Sequence, residues 1–574
     1  MKKKVLFSIA LAGLMLGSCS KDVIDNGGSN KPSWNENGEG YISLSLNLPT
    51  VSGGSRAEGD PSFADGEAKE YAVKDAILVL FVGENETGAK FNSAYNMDLG
   101  NWEDKENQIT TAARIVQKIN EIENAGGTTK NKIYALVLLN NNGIFSVDGT
   151  QLKINTGSGA TALGDGLQEL NNLIATIQNT DVWNATGFLM SNSPLFSAKG
   201  GDTQPSGTSS TLVEIGTDKI YTTVEEAFAN PSASIYVERA QAKIEVKGNN
   251  STFDITDKDG QKVTYKYELA NWDIDNYNKQ SYLTRQFNDQ WAAYENASSP
   301  AFYRFVDKSS VENNVELYRT YWGTDVNYAA ITTKSETPAL NSVAKTGEIP
   351  TLSKSMGEYT YCFENTTAAV PATGLDLTRV IISAKLAKGD NSAADFFIVN
   401  GDRSEMYLDI ADGSDGSIQK RIKSYILNDP GVQEAAKKAG KTIEESDLTF
   451  TFQEGWNDAS GILNNNSDFT VETSEDDDTN SIQNAIDAAL YSEEGKNKIT
   501  IDYYKGGVCY YQAFIRHFTE SECPWTKGVD QSAESTKYLG RYGVLRNNWY
   551  VLNVKSISGI GDSTYPELPE EPID

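Results

Sequence analysis

Tyr41-Ile42-Ser43-Leu44-Ser45-Leu46-Asn47-Leu48-Pro49 alternates large aliphatic residues with small or polar ones. Ile42, Leu44, Leu46 and Leu48 fall on one side of an extended chain, the period-2 mark of a half-buried strand. What flanks the stretch is as informative as the stretch itself. Before it, residues 20–40 are rich in Ser, Asn, Gly and Asp and read as a flexible tether. After it, residues 50–70 return to Gly, Ser, Asp and Glu. Arg56 stands in their middle and is the only Lys or Arg between Lys31 and Lys69.

Further toward the N-terminus, Lys2, Lys3 and Lys4 lead into an apolar run over 5–16, closed by Gly17, Ser18 and Cys19. Basic residues, a short apolar run and a small-residue site form a secretory signal, too short to span a bilayer. The ending Leu16-Gly17-Ser18-Cys19 resembles a bacterial lipobox, in which the cysteine thiol receives diacylglycerol. Each buried methylene of an acyl chain contributes about 0.8 kcal/mol to membrane attachment. The reading is therefore a signal peptide over 1–18 and a chain lipidated at Cys19 ahead of the first strand. The expected product is an exported chain held on a membrane by lipid, at least at first. Flexible polar loops are preferred sites of proteolytic nicking. A trypsin-like protease cutting between Arg56 and Ala57 would release the chain from its lipid and free the strand, making 19–56 a lipidated propeptide; on spacing alone, Arg56 reads as readily as an incidental basic residue in a linker.

The rest of the 574 residues admits about three to four domains on length alone, or two large β-domains. Strand-like runs recur at 76–82, 132–139, 236–246, 263–269, 448–452, 508–518 and 549–557. Helical spacing is read at Ile115, Ile119 and Ile122, at 167–177, at Ile418, Ile422 and Ile426, and at Ile482, Ile486 and Leu490. Runs of strands with occasional helices argue for a mainly β fold of sandwich domains rather than βαβ repeats. The turn-rich Lys247-Gly248-Asn249-Asn250-Ser251 divides the chain into an N-terminal sandwich over 57–247 and a C-terminal one over 248–561. An acidic, Pro-rich tail over 562–574 is expected to be exposed.

Composition excludes several chemistries. Fifty basic against 79 acidic residues, a net charge of −29, argues against nucleic acid, which needs a basic footprint. A single histidine, His517, rules out a zinc site built on imidazoles, and no cofactor or metal is expected. Gly157-Ser158-Gly159-Ala160-Thr161-Ala162 fits G-x-G-x-x-A but lacks a convincing preceding core strand, so it reads as a Gly-rich loop. Asp257-Lys258-Asp259-Gly260 has Ile255 where a calcium loop needs its first carboxylate, and reads as a tight turn. His517 is expected to be a hydrogen-bonded structural residue, since no G-x-S-x-G elbow accompanies it. Of Cys362, Cys509 and Cys523, a bridge between Cys509 and Cys523 and three buried thiols are equally compatible with the sequence. Glu475-Asp476-Asp477-Asp478 reads as a solvated loop.

A set of motifs distributed along the chain resembles the fimbrillins of the Bacteroidia type V pilus system, specifically the major subunit of minor (short, Mfa-type) fimbriae. The residues are Cys19 with its lipobox, Ser55-Arg56-Ala57, Tyr134-Ala135-Leu136-Val137 with Asn140-Asn141, and Val237-Glu238-Arg239-Ala240-Gln241-Ala242-Lys243. In the second half they are Tyr361-Cys362-Phe363-Glu364-Asn365-Thr366, Ile515-Arg516-His517 and Tyr542-Gly543-Val544-Leu545-Arg546-Asn547-Asn548-Trp549-Tyr550. The resemblance implies two transthyretin-like β-sandwich domains and a structural, non-enzymatic subunit of an adhesive fimbria. It implies an outer-membrane lipoprotein precursor whose propeptide over 19–56 is removed by an arginine-specific protease, loss of the strand bearing Ile42, Leu44, Leu46 and Leu48, and its replacement by a donor strand from a neighbour. The implied partners are neighbouring subunits of a homopolymer, anchor and tip subunits, the maturation protease, and host or bacterial surface ligands. The donor is sought near the C-terminus, at Tyr550, Leu552, Val554 and Ile557, a segment that reads equally as a permanent core strand. If it is not the donor, the subunit occupies a terminal position in the fibre. The rival reading is a monomeric, lipid-anchored glycan-binding protein.

Overall fold

The computed structural model describes residues 34–48, 68–100, 112–123, 125–126, 130–156, 159–164, 166, 183–184, 187–196, 209–287, 318–329, 340–410, 417–475, 478–491, 499–520, 523, 538–571 and 573. The fold is mainly β with inserted helices. In chain order the first elements are β1 (Glu39–Asn47), β2 (Ala76–Gly83), β3 (Lys90–Asn96), β4 (Ala112–Asn120), β5 (Lys132–Leu139), β6 (Met190–Asn192), β7 (Val213–Ile215), helix α1 (Val224–Ala229) and β8 (Ala233–Arg239). The strands form one eight-stranded sheet ordered β3-β2-β5-β6-β8-β1-β4, with β7 also paired to β5.

Burial explains why these strands read so differently in sequence. Leu78 and Leu80 of β2 and Ile133, Ala135 and Val137 of β5 share a core with Ile42, Leu44 and Leu46 of β1. The alternate residues Ile77, Val79, Phe81, Leu136 and Leu138 enter a second core that also takes Phe145, Leu152 and Ile154 from a small three-stranded sheet. A strand buried on both faces needs apolar residues at successive positions, hence the near-continuous runs. β1 faces a core on one side only and therefore alternates.

β4 corrects the expectation of a helix at Ile115, Ile119 and Ile122. Ile115 and Ile119 are four apart, a spacing that also places them on one side of a strand, and both are buried against β1's core. Ile122 lies just past the strand's end and is buried as well. The helical spacing over 167–177 lies outside the described residues.

The second set of strands is β9 (Ala242–Gly248), β10 (Ser251–Thr256), β11 (Lys262–Asp275), β12 (Tyr359–Cys362), β13 (Arg379–Lys388), β14 (Val508–Phe514) and β15 (Trp549–Val554). One sheet runs β10-β11-β13-β14, with Lys354–Ser355 beside β11, and the other runs β12-β9-β15. Ile244, Val246, Tyr265, Trp272, Val380 and Tyr550 share the core between them. The expected single strand over 236–246 is thus two strands, β8 in the first sheet and β9 in the second, with the changeover at residues 240–241. The turn-rich 247–251 joins two strands of the same second core, because Gly and Asn mark turns within a sandwich as readily as between two. In both halves a parallel pair joins an early strand to a late one: β1 lies along β8, and β9 along β15.

Between β13 and β14 the chain builds a helical insertion, α2 (Ile418–Leu427), α3 (Pro430–Lys438) and α4 (Ser481–Tyr491). Ile418, Ile422 and Ile426 meet Ile482, Ile486 and Leu490 in a core of their own. Ser417 caps α2 by accepting from the Lys420 N–H, and Asp429 caps α3 by accepting from that of Val432.

The tail departs from its expected exposure. The Tyr565 hydroxyl donates to Asp275 Oδ2 at 2.7 Å, and the fully buried Arg379 donates to the Pro566 carbonyl at 2.7 Å. The Gly374 N–H donates to the Pro569 carbonyl at 2.9 Å, and a Cβ on Gly374 would meet the Pro569 ring at 2.4 Å. Acidic composition suggested solvent, but it is the tail's aromatic ring and backbone carbonyls that satisfy a buried guanidinium.

Candidate functional site: the slot of the first strand

β1 is an interior strand. Along its whole length it pairs antiparallel with β4, from Glu39 opposite Asn120 to Asn47 opposite Ala112. On its other edge it pairs parallel with β8, from Leu44 opposite Ala233 to Asn47 opposite Tyr236. Ile42, Leu44 and Leu46 are 0% exposed and Leu48 is 2% exposed. The side chain of Asn47 donates to Ser234 Oγ at 2.9 Å. Lys118 pairs with Glu39 at 2.9 Å, and its hydrogen bond lowers the Glu39 carboxyl from its usual range.

β8 starts at Ala233, so the first half of β1 needs another partner on that edge. Residues 216–232, here termed the strap, provide it. Tyr41 and Tyr221 exchange backbone bonds of 2.8 and 2.9 Å, and the Ser232 N–H donates to the Ser43 carbonyl at 2.7 Å. The Ser43 N–H donates to Ser232 Oγ at 3.0 Å, whose own proton goes to the Lys219 carbonyl at 2.7 Å. Between these contacts α1 packs against both β1 and β4. Thr223 caps it by accepting from the Glu226 N–H at 3.3 Å, and Ala227 is its buried residue. Arg114 of β4 donates to the Phe228 carbonyl at 3.1 Å and stands 5.6 Å from the Phe228 ring.

Just after the segment that contains Arg56 and Ala57, the chain is anchored at Glu70. This carboxylate is fully buried and takes Lys243 at 2.7 Å, Arg239 at 3.1 Å and the Tyr361 hydroxyl at 2.7 Å. Burial, then the charge of Glu70, raises the Tyr361 phenol from its ordinary range. Arg239 lies on β8, Lys243 on β9 and Tyr361 on β12, so one acidic side chain ties both strand systems together. Cys19, Arg56 and Ala57 themselves lie outside the described residues.

The C-terminal candidates sit in the other core. β15 pairs in parallel with β9, from Trp549 opposite Lys243 to Val554 opposite Gly248. Tyr550 and Ile557 are buried, whereas Leu552 and Val554 are half-buried. His517 Nε2 lies 2.7 Å from the Tyr321 carbonyl and Nδ1 lies 2.6 Å from the Tyr550 hydroxyl. A carbonyl only accepts, so the proton sits on Nε2 and Nδ1 accepts from Tyr550. The same tyrosine oxygen accepts from the Leu545 N–H at 2.9 Å. His517 is thus fully engaged as a structural residue.

The other singled-out residues have equally local explanations. Cys362, Cys509 and Cys523 are free and buried, so Cys509 and Cys523 are not bridged. Asp257 and Gly260 form the turn between β10 and β11, with Gly260 at φ +75°. Gly159–Ala162 pairs with Gln151–Thr156 in a hairpin; Gly157 and Ser158 lie outside the described residues. Glu475 pairs with Lys441 at the surface. Among the described residues, no cluster of three or more His, Cys, Asp or Glu is placed to hold a metal ion.

Residues 502–574, which include β14, β15 and the docked tail, match the family model described as the C-terminal region of fimbrillin, major fimbrial subunit protein type IV. This C-terminal region is of the fimbrillin type. Among solved structures the chain is similar to a fimbrilin from Porphyromonas gingivalis, at 12% identity over 93% of this chain and 94% of that one, with a TM-score of 0.29. A fimbrial assembly protein from Parabacteroides distasonis is 14% identical over 62% of this chain and 87% of that one, with a TM-score of 0.24. No curated protein matches the chain.

Sequence periodicity does not reveal the strap or Glu70. Thr223 followed by Glu226, three residues on, is a capping-box signature that could have marked α1. Nothing local in the sequence says that α1 lies against β1.

Proposed function

We propose that the chain is a fimbrillin, a structural subunit of a cell-surface fimbria whose first strand is a temporary occupant of its fold. The precursor is exported and lipidated at Cys19. An arginine-specific protease cuts between Arg56 and Ala57, and β1 leaves with the lipid. An extended segment from a neighbouring subunit then fills the vacated slot. Head-to-tail repetition that does not close yields a filament, which carries adhesion to host or bacterial surfaces.

One observation carries this reading: β1 is an interior strand that, with Leu48 just past its end, buries four aliphatic side chains, yet a largely polar segment containing Arg56 is all that follows before Ala68. Four such side chains contribute roughly 6–12 kcal/mol of burial. Removing them also exposes the edges of β4 and β8, which favours capture of another strand. The match of residues 502–574 to the fimbrillin C-terminal model supports assembly with other fimbrial subunits. Anchor and tip subunits are the neighbours expected at the fibre ends.

The test is trypsin treatment of the lipid-free chain, residues 20–574, followed by gel analysis and electron microscopy. Cleavage at Arg56 with ladders or filaments is expected, and Arg56→Ala is expected to stay folded and unpolymerised. Normal filaments from Arg56→Ala would overturn the maturation step.

A further inference from the structure

The strap makes β1's slot selective. β1's core-facing residues are sealed by the sandwich, and its outward positions Tyr41, Ser45 and Asn47 are half-exposed. Ser43 breaks this pattern, because it is outward-facing yet 0% exposed. The strap bonds both to its N–H and to its carbonyl, and α1, whose Ala227 is buried, packs against the strand. Ser43 Oγ itself has no hydrogen-bond partner among the described residues. The slot is also tight at Gly40, where a Cβ would meet Ile220 Cγ2 of the strap at 2.6 Å. Ser232, Ile220 and Ala227 all remain when β1 departs.

We propose that the strap selects the replacing strand by size. The slot accepts an extended segment with large aliphatic residues in register with Ile42, Leu44 and Leu46 and with Gly, Ala or Ser in register with Ser43. This rests on the strand-replacement reading above and names the partner that reading requires. A buried hydroxyl without a hydrogen bond is destabilising, so a strand with alanine at this position outcompetes β1. The native strand is a deliberately imperfect plug.

The chain's own β15 does not fit. Any register that turns Tyr550, Leu552 or Val554 inward beside this position brings Trp549, Val551, Asn553 or Lys555 to the place of Ser43, and each is larger than serine; turning Ile557 inward opposite Leu44 puts Ser556 there but drives the charged Lys555 into the core. β15 is moreover paired along β9. The replacing strand therefore comes from a segment other than 549–557, carried by a partner subunit with a small residue at the matching place.

The experiment uses the lipid-free chain cut after Arg56 and fluorescent peptides of residues 36–48, with binding read by anisotropy. The peptides are the native sequence, Ser43→Ala and Ser43→Val, with residues 547–558 as a fourth. The Ala peptide is expected to bind up to about tenfold tighter than the native one, the gain corresponding to one unsatisfied hydroxyl. The Val peptide is expected to bind at least about tenfold weaker, and residues 547–558 not at all. Equal binding of the Ala and Val peptides, or tight binding of residues 547–558, overturns the size rule. If the native peptide fails to enter the cut chain, strand replacement itself fails. The size rule is then judged in the uncut chain, where Ser43→Ala should raise the melting temperature and Ser43→Val lower it; equal melting temperatures refute it.

Discussion

Leu44→Ala removes an isopropyl group from the centre of the first core, at a position 0% exposed and flanked by Ile42 and Leu46, also 0% exposed. β4 and β8 hold the backbone on both edges here, with Leu44 opposite Ile115 on one side and Ala233 on the other. The site therefore has little freedom to collapse around the missing atoms. Leu→Ala changes at such positions cost about 2–5 kcal/mol, the larger values where a cavity persists. Taking about 3 kcal/mol, and a shift of about 2–4 °C per kcal/mol for a unit of this size, the first transition should fall by about 6–12 °C. The assay is calorimetry on residues 20–574 before cleavage and on filaments formed afterwards. The uncut chain should show the full shift. The filaments should match those of the unsubstituted protein, because the substituted strand has gone. An equal shift in both samples would mean that β1 stays in the fibre, and the replacement reasoning would be refuted.

Glu70→Ala deletes the carboxylate shared by Lys243, Arg239 and Tyr361, and breaking a buried pair in this way costs about 3–5 kcal/mol. Chemical denaturation should then show the two strand systems unfolding separately, whereas one unchanged transition would deny Glu70 its role as a tie. Burial pushes the Asp325 carboxyl up from 3.8 to about 7, against the hydrogen bonds it accepts from the Thr366 and Asn327 N–H groups. The folded chain thus binds this proton more tightly than the unfolded chain; the stabilisation is complete below about pH 4 and lost as pH rises through about 7. Asp325→Asn should flatten the pH dependence of melting across that window, and parallel curves for the two proteins would refute the assignment. Burial raises the Cys362 thiol to about 12 and that of Cys509 to about 11. Neither should react with iodoacetamide at pH 8 in the folded chain, as mass spectrometry would show, and both should react in urea; rapid native labelling would contradict their burial.

How far the fold could be read in advance differs from element to element. The alternation of β1, the apolar runs of β2 and β5, and the isoleucine spacings of α2 and α4 are local patterns, and each element formed as its pattern says. Ile115 and Ile119 show where local reading fails. A separation of four satisfies both a helix face and one side of a strand, and only the β-branched composition of Ala112–Asn120 hinted at the outcome. The tail failed for a different reason: charge counts describe side chains, whereas its docking uses the carbonyls of Pro566 and Pro569 and the ring of Tyr565.

The residues that define the slot divide in the same way. Ile42, Leu44, Leu46 and Leu48 announced themselves, because a strand's two faces are encoded within a few consecutive positions. What lies on either edge of that strand is not encoded there. β4 arrives from some seventy residues downstream and the strap from nearly two hundred. Sequence alone determined that a strand exists, which of its sides is apolar, and that polar segments flank it. Only the tertiary structure decided that both its edges are paired, that Ser43 is sealed on its outer side, and that Glu70 binds the two sheet systems. The physical reason is range: side-chain periodicity reflects the local backbone, whereas edge pairing, coverage and buried ion pairs depend on which distant segments the cores bring together.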